Sequence, residues 1–347
     1  MRNVALSIGL VGAILTAGAP APAQEGAPPG DGPLVHEGIV DAPVAEVWRV
    51  FTTGEGWKKL GVAKAEVDLR VGGLIRTHYS PEGVLGDEST IQNRILAFEP
   101  ERMLAICVDK PPRGFPFKEA WKATWSVMTL TDLGDGRTHL RLAGLGYGAD
   151  PESQAMRKFF LDGNAWTLKK LQSELRGAAK PGSPAGGRPA EGSLAPIVAE
   201  AVVPGARAEV FAAFTTAAGW KAFFGVDARI GAGPGEPFEI LFDPAAPEGR
   251  RGSEGCVRLA HVAPEMFSFT WNAPPQFPAA RAGRTWVVVD FDAPAAGLTR
   301  VRLRHLGFAD QAAAHPEDLA EWERTRAYFA AAWPAVLGAL REHFEEK

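Results

Sequence analysis

The sequence EVWRVFTTGEGWKKLGV at residues 46–62 returns as EVFAAFTTAAGWKAFFGV at residues 209–226. With one inserted residue, the two stretches share Glu-Val, Phe-Thr-Thr, Gly-Trp-Lys and Gly-Val. Self-similarity this dense indicates that one structural unit is built twice along the chain. The 347 residues are enough for two domains of ordinary size, which agrees with this interpretation.

The composition is typical of a soluble globular protein. The chain is 46% hydrophobic and 22% charged, with a net charge of −4. No cluster of Lys and Arg predicts binding to nucleic acid or to an anionic membrane. The histidines and cysteines lack the spacing of a metal site, and no phosphate-binding or dinucleotide motif is present. We therefore expect no metal, no cofactor and no nucleic-acid partner.

The N-terminus has the pattern of a secretory signal peptide. Arg2 precedes an apolar run at residues 4–19, and a small-x-small cleavage pattern ends at Ala23. The apolar run is too short and too rich in Gly and Ala to predict a membrane span. We expect cleavage of residues 1–23, export to the periplasm or the medium, and no stable membrane span afterwards. An uncleaved N-terminal anchor is the alternative.

The rest of the chain divides into two similar halves. Residues 24–33 form a Pro/Gly/Ala-rich flexible leader, residues 34–176 a first domain, residues 177–193 a linker and residues 194–347 a second domain. Each domain is predicted to run strand, two short helices, a series of antiparallel strands, then one long C-terminal helix. This is an α+β layout in which the final helix covers the apolar face of the sheet.

Local signals predict further details of these elements. Asp41 is expected to cap the first helix with Pro43 in its first turn, and Pro334 is expected to kink or divide the last helix. Cys107 and Cys256 are expected to be free thiols rather than a disulfide. One face of a strand is predicted from Trp121, Ala123, Trp125 and Val127. The inner stripe of the first long helix is predicted from Met156, Phe159, Gly163, Trp166, Lys170 or Leu171, and Leu175.

Four stretches then resemble a known superfamily. In the second repeat they are GCVRLAHVAPEMFSFTW (255–271), LTRVRLRHLGF (298–308) and WPAVLGAL (333–340). In the first repeat, VDLRVGGL (67–74) resembles an Asp-x-Arg-x-Gly-Gly turn. In this order they resemble the SRPBCC (START-like) superfamily, in its branch similar to activators of the heat-shock protein 90 ATPase.

The resemblance implies a helix-grip fold, a curved antiparallel sheet wrapped around a long C-terminal helix with a hydrophobic cavity beneath it. Members of the superfamily bind lipids, aromatic molecules, hormones and polyketides, and some are cyclases, dehydratases or hydrolases. The chain departs from the pattern in two places. Gly144 stands where the second repeat has His305, and residues 231–237 replace the Gly-Gly turn.

Three tryptophan pairs recur across the repeats, and each pair either fills a core or lines a pocket for a flat ligand. The pairs are Trp57/Trp220, Trp125/Trp286 and Trp166/Trp333. His305 is in phase with Val301 and Leu303, so it points inward as a core histidine, a ligand contact or a general base. The candidate ligand-binding residues are Trp125, Trp166, His78, Trp271, Trp286, His305 and Trp333.

The leading hypothesis is binding of a small hydrophobic or aromatic molecule in a cavity between the sheet and the long helix. One alternative is an enzyme of the cyclase, dehydratase or hydrolase type that uses His305 of the second domain. Another is a cochaperone-like module that binds a protein partner through an exposed apolar patch.

Overall fold

The computed structural model describes residues 32–178 and 192–346. The chain divides into two compact units, Met1–Gly187 and Arg188–Lys347, which we call the first and second domains. Each contains an antiparallel sheet followed by a long C-terminal helix, so the predicted α+β class is confirmed. The predicted signal peptide, most of the leader and most of the linker lie outside the described residues.

The first domain contains a seven-stranded antiparallel sheet in the order β1-β7-β6-β5-β4-β3-β2. Its strands are β1 (Leu34–Val40), β2 (Lys64–Val67), β3 (Leu74–His78), β4 (Ile91–Glu99), β5 (Met103–Lys110), β6 (Trp125–Asp132) and β7 (Thr138–Leu145). Its helices are α1 (Val44–Thr52), α2 (Gly54–Lys59) and α3 (Pro151–Glu174). Helix α3 packs against the edge strand β1.

The second domain repeats this order with a break in the sheet. Five strands run in the order β11-β12-β13-β14-β8, and the separate pair β10-β9 joins them through one bridge between Pro237 and Val257. The strands are β8 (Ile197–Val203), β9 (Asp227–Ile230), β10 (Phe238–Leu241), β11 (Arg258–Val262), β12 (Met266–Trp271), β13 (Thr285–Ala295) and β14 (Leu298–Leu306). The helices are α4 (Arg207–Thr215), α5 (Ala217–Phe224), α6 (Pro278–Ala282), α7 (Phe308–Ala314) and α8 (Leu319–Glu345).

The repeated Phe-Thr-Thr sequence makes the corner between the two short helices of each domain. Thr53 Oγ1 accepts a hydrogen bond from Gly56 N at 3.0 Å, and Thr216 Oγ1 accepts one from Gly219 N at 3.1 Å. Each threonine thereby satisfies an amide at the start of a helix that has no partner within it. A Cβ at either glycine would meet backbone atoms of the preceding helix at 2.4 Å or less. The corner therefore requires both the threonine and the glycine.

The repeated tryptophan of the same stretch is a structural residue. Trp57 and Trp220 are both buried, and each indole Nε1 donates to a main-chain oxygen at 2.8 Å, of Phe51 and Phe214 respectively. The hydrogen bond connects the second short helix to the end of the first, while the indole fills the space between the short helices and the sheet. The first tryptophan pair of the sequence is thus equivalent in the two domains, and it packs the core.

Several local predictions are wrong. Pro43, not Asp41, is the N-cap of α1, and it offers no side-chain oxygen to the helix. Trp121 and Ala123 were predicted to share a strand face with Trp125, but they belong to a short 3-10 helix and β6 begins only at Trp125. Pro334 lies inside α8, so the predicted division of this helix is wrong, while the alternative of a kink stays a prediction. This proline removes only one amide donor from a long helix that is held by tertiary packing.

Both cysteines are free, as predicted. Burial raises the pKa of the Cys107 thiol and of the Cys256 thiol to about 11, so both are protonated at neutral pH. Of the helices in the described ranges, none combines the length and the apolar character that a membrane crossing requires.

Candidate functional site

A cavity of about 510 Å³ lies in the second domain, beneath the middle of α8. The loop between β10 and β11 and the loop between β12 and α6 form its other walls. The cavity is lined by Phe224, Phe242, Asp243, Arg250, Arg251, Gly252, Ser253, Trp271, Asn272, Ala273, Pro274, Pro275, Gln276, Arg281, Tyr328, Phe329, Ala332, Trp333, Ala335 and Val336. Its volume falls in the range of sites for small molecules.

Aromatic rings form the deep wall of this cavity. The ring centroids of Trp271 and Trp333 are 5.3 Å apart with planes inclined by 45°, and Phe329 stacks on Trp333 at 6.2 Å. Phe242 meets Trp271 edge-on at 6.3 Å, nearer the exposed mouth. Such surfaces favour a flat or apolar ligand, because offset and edge-on ring contacts add to the burial of apolar area.

His305 lies behind this wall and has no exposed surface. The Nε1 donor of Trp333 is 3.0 Å from His305 Nδ1, and His305 Nε2 is 2.7 Å from Thr285 Oγ1. An indole nitrogen can only donate, so Nδ1 must accept and Nε2 must carry the proton. Thr285 passes its own hydrogen to the main-chain oxygen of Trp271 at 3.1 Å.

This chain of hydrogen bonds ties both cavity tryptophans to one histidine. Both ring nitrogens of His305 are occupied, and burial lowers the pKa of His305 to about 3, which keeps the ring neutral. In this arrangement His305 offers no free nitrogen to the cavity. It corresponds to the buried core histidine of the sequence interpretation, and its contact with a ligand passes through Trp333 and Trp271.

The mouth of the cavity is held by Arg281 and Glu254. The Arg281 guanidinium donates to the main-chain oxygens of Gly249, at 2.6 and 3.1 Å, of Gly252, at 2.9 Å, and of Ala273, at 2.5 Å. It thereby links the two loops that form the mouth. These four hydrogen bonds to three main-chain oxygens make the rim a preformed structure rather than a loose loop.

Glu254 supports the same loop from below. Its carboxylate accepts from Gly249 N at 3.0 Å and from Arg251 N at 2.7 Å, and lies 4.0 Å from the Arg281 guanidinium. Burial would raise the pKa of Glu254, but these amide hydrogen bonds and the nearby guanidinium groups lower it below the usual value. Glu254 is therefore a charged anchor of the rim at neutral pH.

The corresponding space in the first domain is nearly filled. Two small cavities lie beneath α3, of about 30 Å³ and about 10 Å³, and both are bordered by Asn164. At the position of His305, Gly144 leaves room that the Tyr147 ring occupies, with Tyr147 Oη 3.2 Å from where a Cβ would stand. A space of about 30 Å³ is far below the range of volumes of small-molecule sites.

The pairing of Trp166 with Trp333 is wrong, because the two long helices are offset in phase. The buried positions of α3 are Met156, Phe160, Asn164, Thr167 and Leu171, and those of α8 with the same spacing are Thr325, Phe329, Trp333, Val336 and Leu340. The counterpart of Trp333 is therefore Asn164. Trp166 is only half-buried and leans towards Gly61. Phe159 was predicted on the inner stripe of α3, but Phe160 is the buried residue there and Phe159 is half-buried.

Trp125 and Trp286 are equivalent in register, opposite Leu145 and Leu306 respectively. In the second domain, His305 lies opposite Val287, so strand alternation places Trp286 on the other face of the sheet from His305. Trp286 is buried there and does not line the cavity. Of the two alternatives for this tryptophan, the structure places Trp286 in the core and not on the cavity wall. Trp125 borders the small cavity of about 30 Å³ in the first domain.

His78 is the last residue of β3, and its ring is buried against the loop that follows the strand. Its Nδ1 accepts from Ser80 N at 3.0 Å, its Nε2 is 3.3 Å from an oxygen of Asp87, and Gly83 packs directly on the ring. The histidine therefore orders the loop that follows β3. Of the seven candidate residues, Trp271 and Trp333 line the large cavity, while His305 lies directly behind them.

Phe329, Arg281 and Asn164 were not among the residues predicted from the sequence. The phase error on the long helix hid Phe329 and Asn164, although the spacing of apolar residues on α8 contains the signal. No local pattern marks Arg281, since its role depends on carbonyl groups from distant loops. Among the residues that the structure describes, His315, Glu317 and Asp318 place possible ligand atoms within 4.8 Å of one another. His315 and Glu317 are exposed, Asp318 is half-buried, and no second feature in the described residues marks a metal site there.

Comparison with solved structures finds helix-grip proteins at low sequence identity. The di-domain ARO/CYC protein BexL from the BE-7585A biosynthetic pathway is 16% identical, with 90% of this chain and 98% of that chain covered and a TM-score of 0.34. DynU16, from the dynemicin biosynthetic locus, is 18% identical over 90% of this chain and 99% of that chain, with a TM-score of 0.31. The Aha1 protein of Colwellia psychrerythraea is 15% identical over 43% of this chain and 98% of that chain, with a TM-score of 0.32.

No curated protein matches the chain. The sequence model of one family, described as "Activator of Hsp90 ATPase homolog 1-like protein", matches residues 41–176 and again residues 205–345. These two matches cover most of both domains, in agreement with the resemblance seen in the sequence. The chain therefore belongs to the activator of Hsp90 ATPase homolog 1-like family and contains two copies of its domain.

Proposed function

We propose that the second domain binds a small hydrophobic or aromatic molecule in the cavity beneath α8. The observation that supports this proposal is the cavity itself, about 510 Å³ with Trp271, Trp333 and Phe329 along its deep wall. Binding would remove apolar ligand surface from water, at about 25 cal/mol for each Å² buried. Arg281 and Glu254 hold the rim in place before the ligand arrives, so binding costs less conformational entropy than it would with a flexible loop.

Fluorescence titration with the neutral probe N-phenyl-naphthylamine tests the proposal. Ala332 lines the cavity, whereas the adjacent Ala331 is exposed on the outer side of α8. The variant Ala332→Trp fills the cavity, and Ala331→Trp adds the same side chain outside it. We expect wild type and Ala331→Trp to bind alike, and Ala332→Trp to bind at least about 10-fold more weakly.

Circular dichroism and thermal melting of all three proteins establish that the variants are folded. If Ala332→Trp is unstable, the smaller substitution Ala332→Leu provides the same comparison. A wild-type protein that does not bind the probe contradicts the proposal. Equal binding by wild type and a folded Ala332→Trp variant also contradicts it, because the probe then binds elsewhere.

We also propose that the first domain is a structural module that takes no ligand of this kind. The cavities described beneath α3, which Asn164 borders, hold only about 30 and 10 Å³ and are too small for such a ligand. Native mass spectrometry of the full chain with the probe tests this, and one bound molecule per chain is expected. A second bound molecule that survives the Ala332→Trp substitution would contradict it.

Export is a further part of the proposal, supported by the signal-like pattern of residues 1–23. We propose cleavage near Ala23 and delivery to the periplasm or the medium. The intact mass of the protein purified from its native host tests cleavage, and cell fractionation tests the location. A mass that includes residues 1–23 would contradict the cleavage.

A further inference from the structure

The mouth of the large cavity carries an excess of positive charge over an apolar interior. Asp243, Arg250, Arg251 and Arg281 line the cavity, and Glu254 lies beneath the rim. Three guanidinium groups thus face two carboxylates. If each of these charged groups had a partner within the protein, the excess of positive charge would not indicate the charge of a ligand.

Four of these five charges have such partners. Arg281 is bound to the main-chain oxygens of two loops and lies 4.0 Å from Glu254. Arg251 Nε donates to the main-chain oxygen of Ala246 at 3.3 Å, and its own amide is held by Glu254. Asp243 accepts from Ala245 N at 3.2 Å, as a short acidic residue in a turn commonly does.

Arg250 differs from the others. Its side chain is exposed, and its guanidinium forms no hydrogen bond or ion pair with any residue in the described parts of the chain. Its backbone is nevertheless well fixed. Arg250 N donates to Pro247 O at 3.0 Å, and the adjacent Gly249 is held on both sides by Glu254 and Arg281. An unengaged guanidinium is therefore presented on a rigid loop at the mouth of an aromatic cavity.

We propose that the ligand is an aromatic monoanion such as an aromatic carboxylate, with its ring against Trp271 and Trp333 and its anionic group at the mouth beside Arg250. This inference rests on the proposed function and names its ligand class. A guanidinium binds a carboxylate through two parallel hydrogen bonds, which lysine cannot reproduce. The anionic group stays partly solvated at the mouth, so its desolvation costs little compared with full burial.

Isothermal titration calorimetry with a matched pair of compounds tests the inference. Naphthoate and naphthalenemethanol share the ring and the point of attachment, but only naphthoate is charged. For the wild type we expect naphthoate to bind about 5- to 10-fold more tightly at about 0.1 M salt, with the difference shrinking as salt increases. Arg250→Gln should remove the preference and leave binding of the alcohol unchanged.

Arg324→Gln is the control, because Arg324 is an exposed residue of α8 that does not line the cavity. It changes the net charge by the same amount and should retain the preference for naphthoate. If the alcohol binds as tightly as naphthoate, or if Arg250→Gln retains the preference, the inference is overturned while the proposed function stands. If neither compound nor neutral N-phenyl-naphthylamine binds, both the inference and the proposed function are overturned.

Discussion

The two domains share a fold and differ in what lies beneath the long helix. In the second domain, Trp333 and Phe329 of α8 border a cavity of about 510 Å³. In the first domain, Asn164 of α3 borders two cavities of about 30 and 10 Å³. The frame of each domain, set by the Phe-Thr-Thr corner and its tryptophan, is the same. Duplication thus preserved the scaffold, while the interior diverged.

The exchange at one strand position illustrates the divergence. His305 fills its site with a ring that hydrogen-bonds Trp333 and Thr285, whereas Gly144 leaves its site to the Tyr147 ring. In the second domain the histidine holds two tryptophans in place at the cavity wall. In the first domain the tyrosine itself occupies the interior. A single change of side-chain size therefore accompanies a change from an open interior to a filled one.

The largest expected effect tests what the domains share. Trp57→Ala and Trp220→Ala should each destabilise their own domain by about 3–5 kcal/mol, because each removes a fully buried indole and its hydrogen bond. Urea unfolding followed by circular dichroism measures the loss. If one of the two substitutions costs less than about 1 kcal/mol, the corner is not equivalent in the two domains.

The second-largest expected effect tests a residue that differs between the domains, His305 in place of Gly144. His305→Ala should destabilise the second domain by about 2–4 kcal/mol, since it leaves the Trp333 Nε1 donor without an acceptor and Thr285 Oγ1 without the donor that it accepts from in the core. Calorimetry should show a lower melting temperature for the second-domain transition and an unchanged first-domain transition. An unchanged melting temperature would contradict the structural role of His305 and would favour the hypothesis of a catalytic histidine.

Acid should affect the second domain through the same histidine. His305 has a pKa of about 3 in the fold, against 6.5 in an unfolded chain, because burial disfavours the charged ring. Its contribution to stability is therefore complete above about pH 6.5 and falls by up to about 1.4 kcal/mol per pH unit as the pH is lowered towards 3. His261 adds a loss of the same sign, since burial and then Arg258 lower its pKa to about 4.

The measurement is the melting temperature of the second domain between about pH 7 and about pH 5, for wild type and for His305→Gln. The variant should show a shallower dependence, with the remaining slope due largely to His261. Identical slopes in the two proteins would mean that His305 is not neutral and buried as described.

The smallest effect compares two tryptophans of the long helices. Trp333→Phe should cost about 1 kcal/mol, because it removes the donor to His305 from a buried network. Trp166→Phe should change stability by less than about 0.5 kcal/mol, because Trp166 is half-buried beside Gly61. Equal losses in urea unfolding would restore the pairing that the sequence suggested and contradict the phase offset between α3 and α8.

The sequence predicted the fold closely, whereas its candidate ligand-binding residues stay a prediction. Regular alternation and turn signals located β1, the short helices and the long helices to within a few residues. Trp271 and Trp333 were among the candidates and line the cavity. Trp286 was also a candidate but does not line the cavity, because both faces of this strand are apolar and alternation alone cannot say which one meets the helix.

The pairing of Trp166 with Trp333 failed for a different reason. Aligning Trp166 with Trp333 assumes that α3 and α8 have no insertion or deletion relative to each other. The buried positions of the two helices show a relative shift of two residues. A shift of two positions rotates a helical residue by about 200°, which is enough to move it off the buried face of the helix. The offset was readable in the spacing of the apolar residues.

The sequence by itself determined that the protein is one α+β unit built twice, because the corner between the short helices needs Thr, Gly and Trp at fixed local spacing. Periodicity and capping depend on residues that are close in the chain, so they can be recognised from the sequence alone. Only the tertiary structure decided that one interior is open and the other filled. Cavity volume depends on how Trp333, His305 and Thr285, or Asn164 and Tyr147, pack across elements that are distant in the chain.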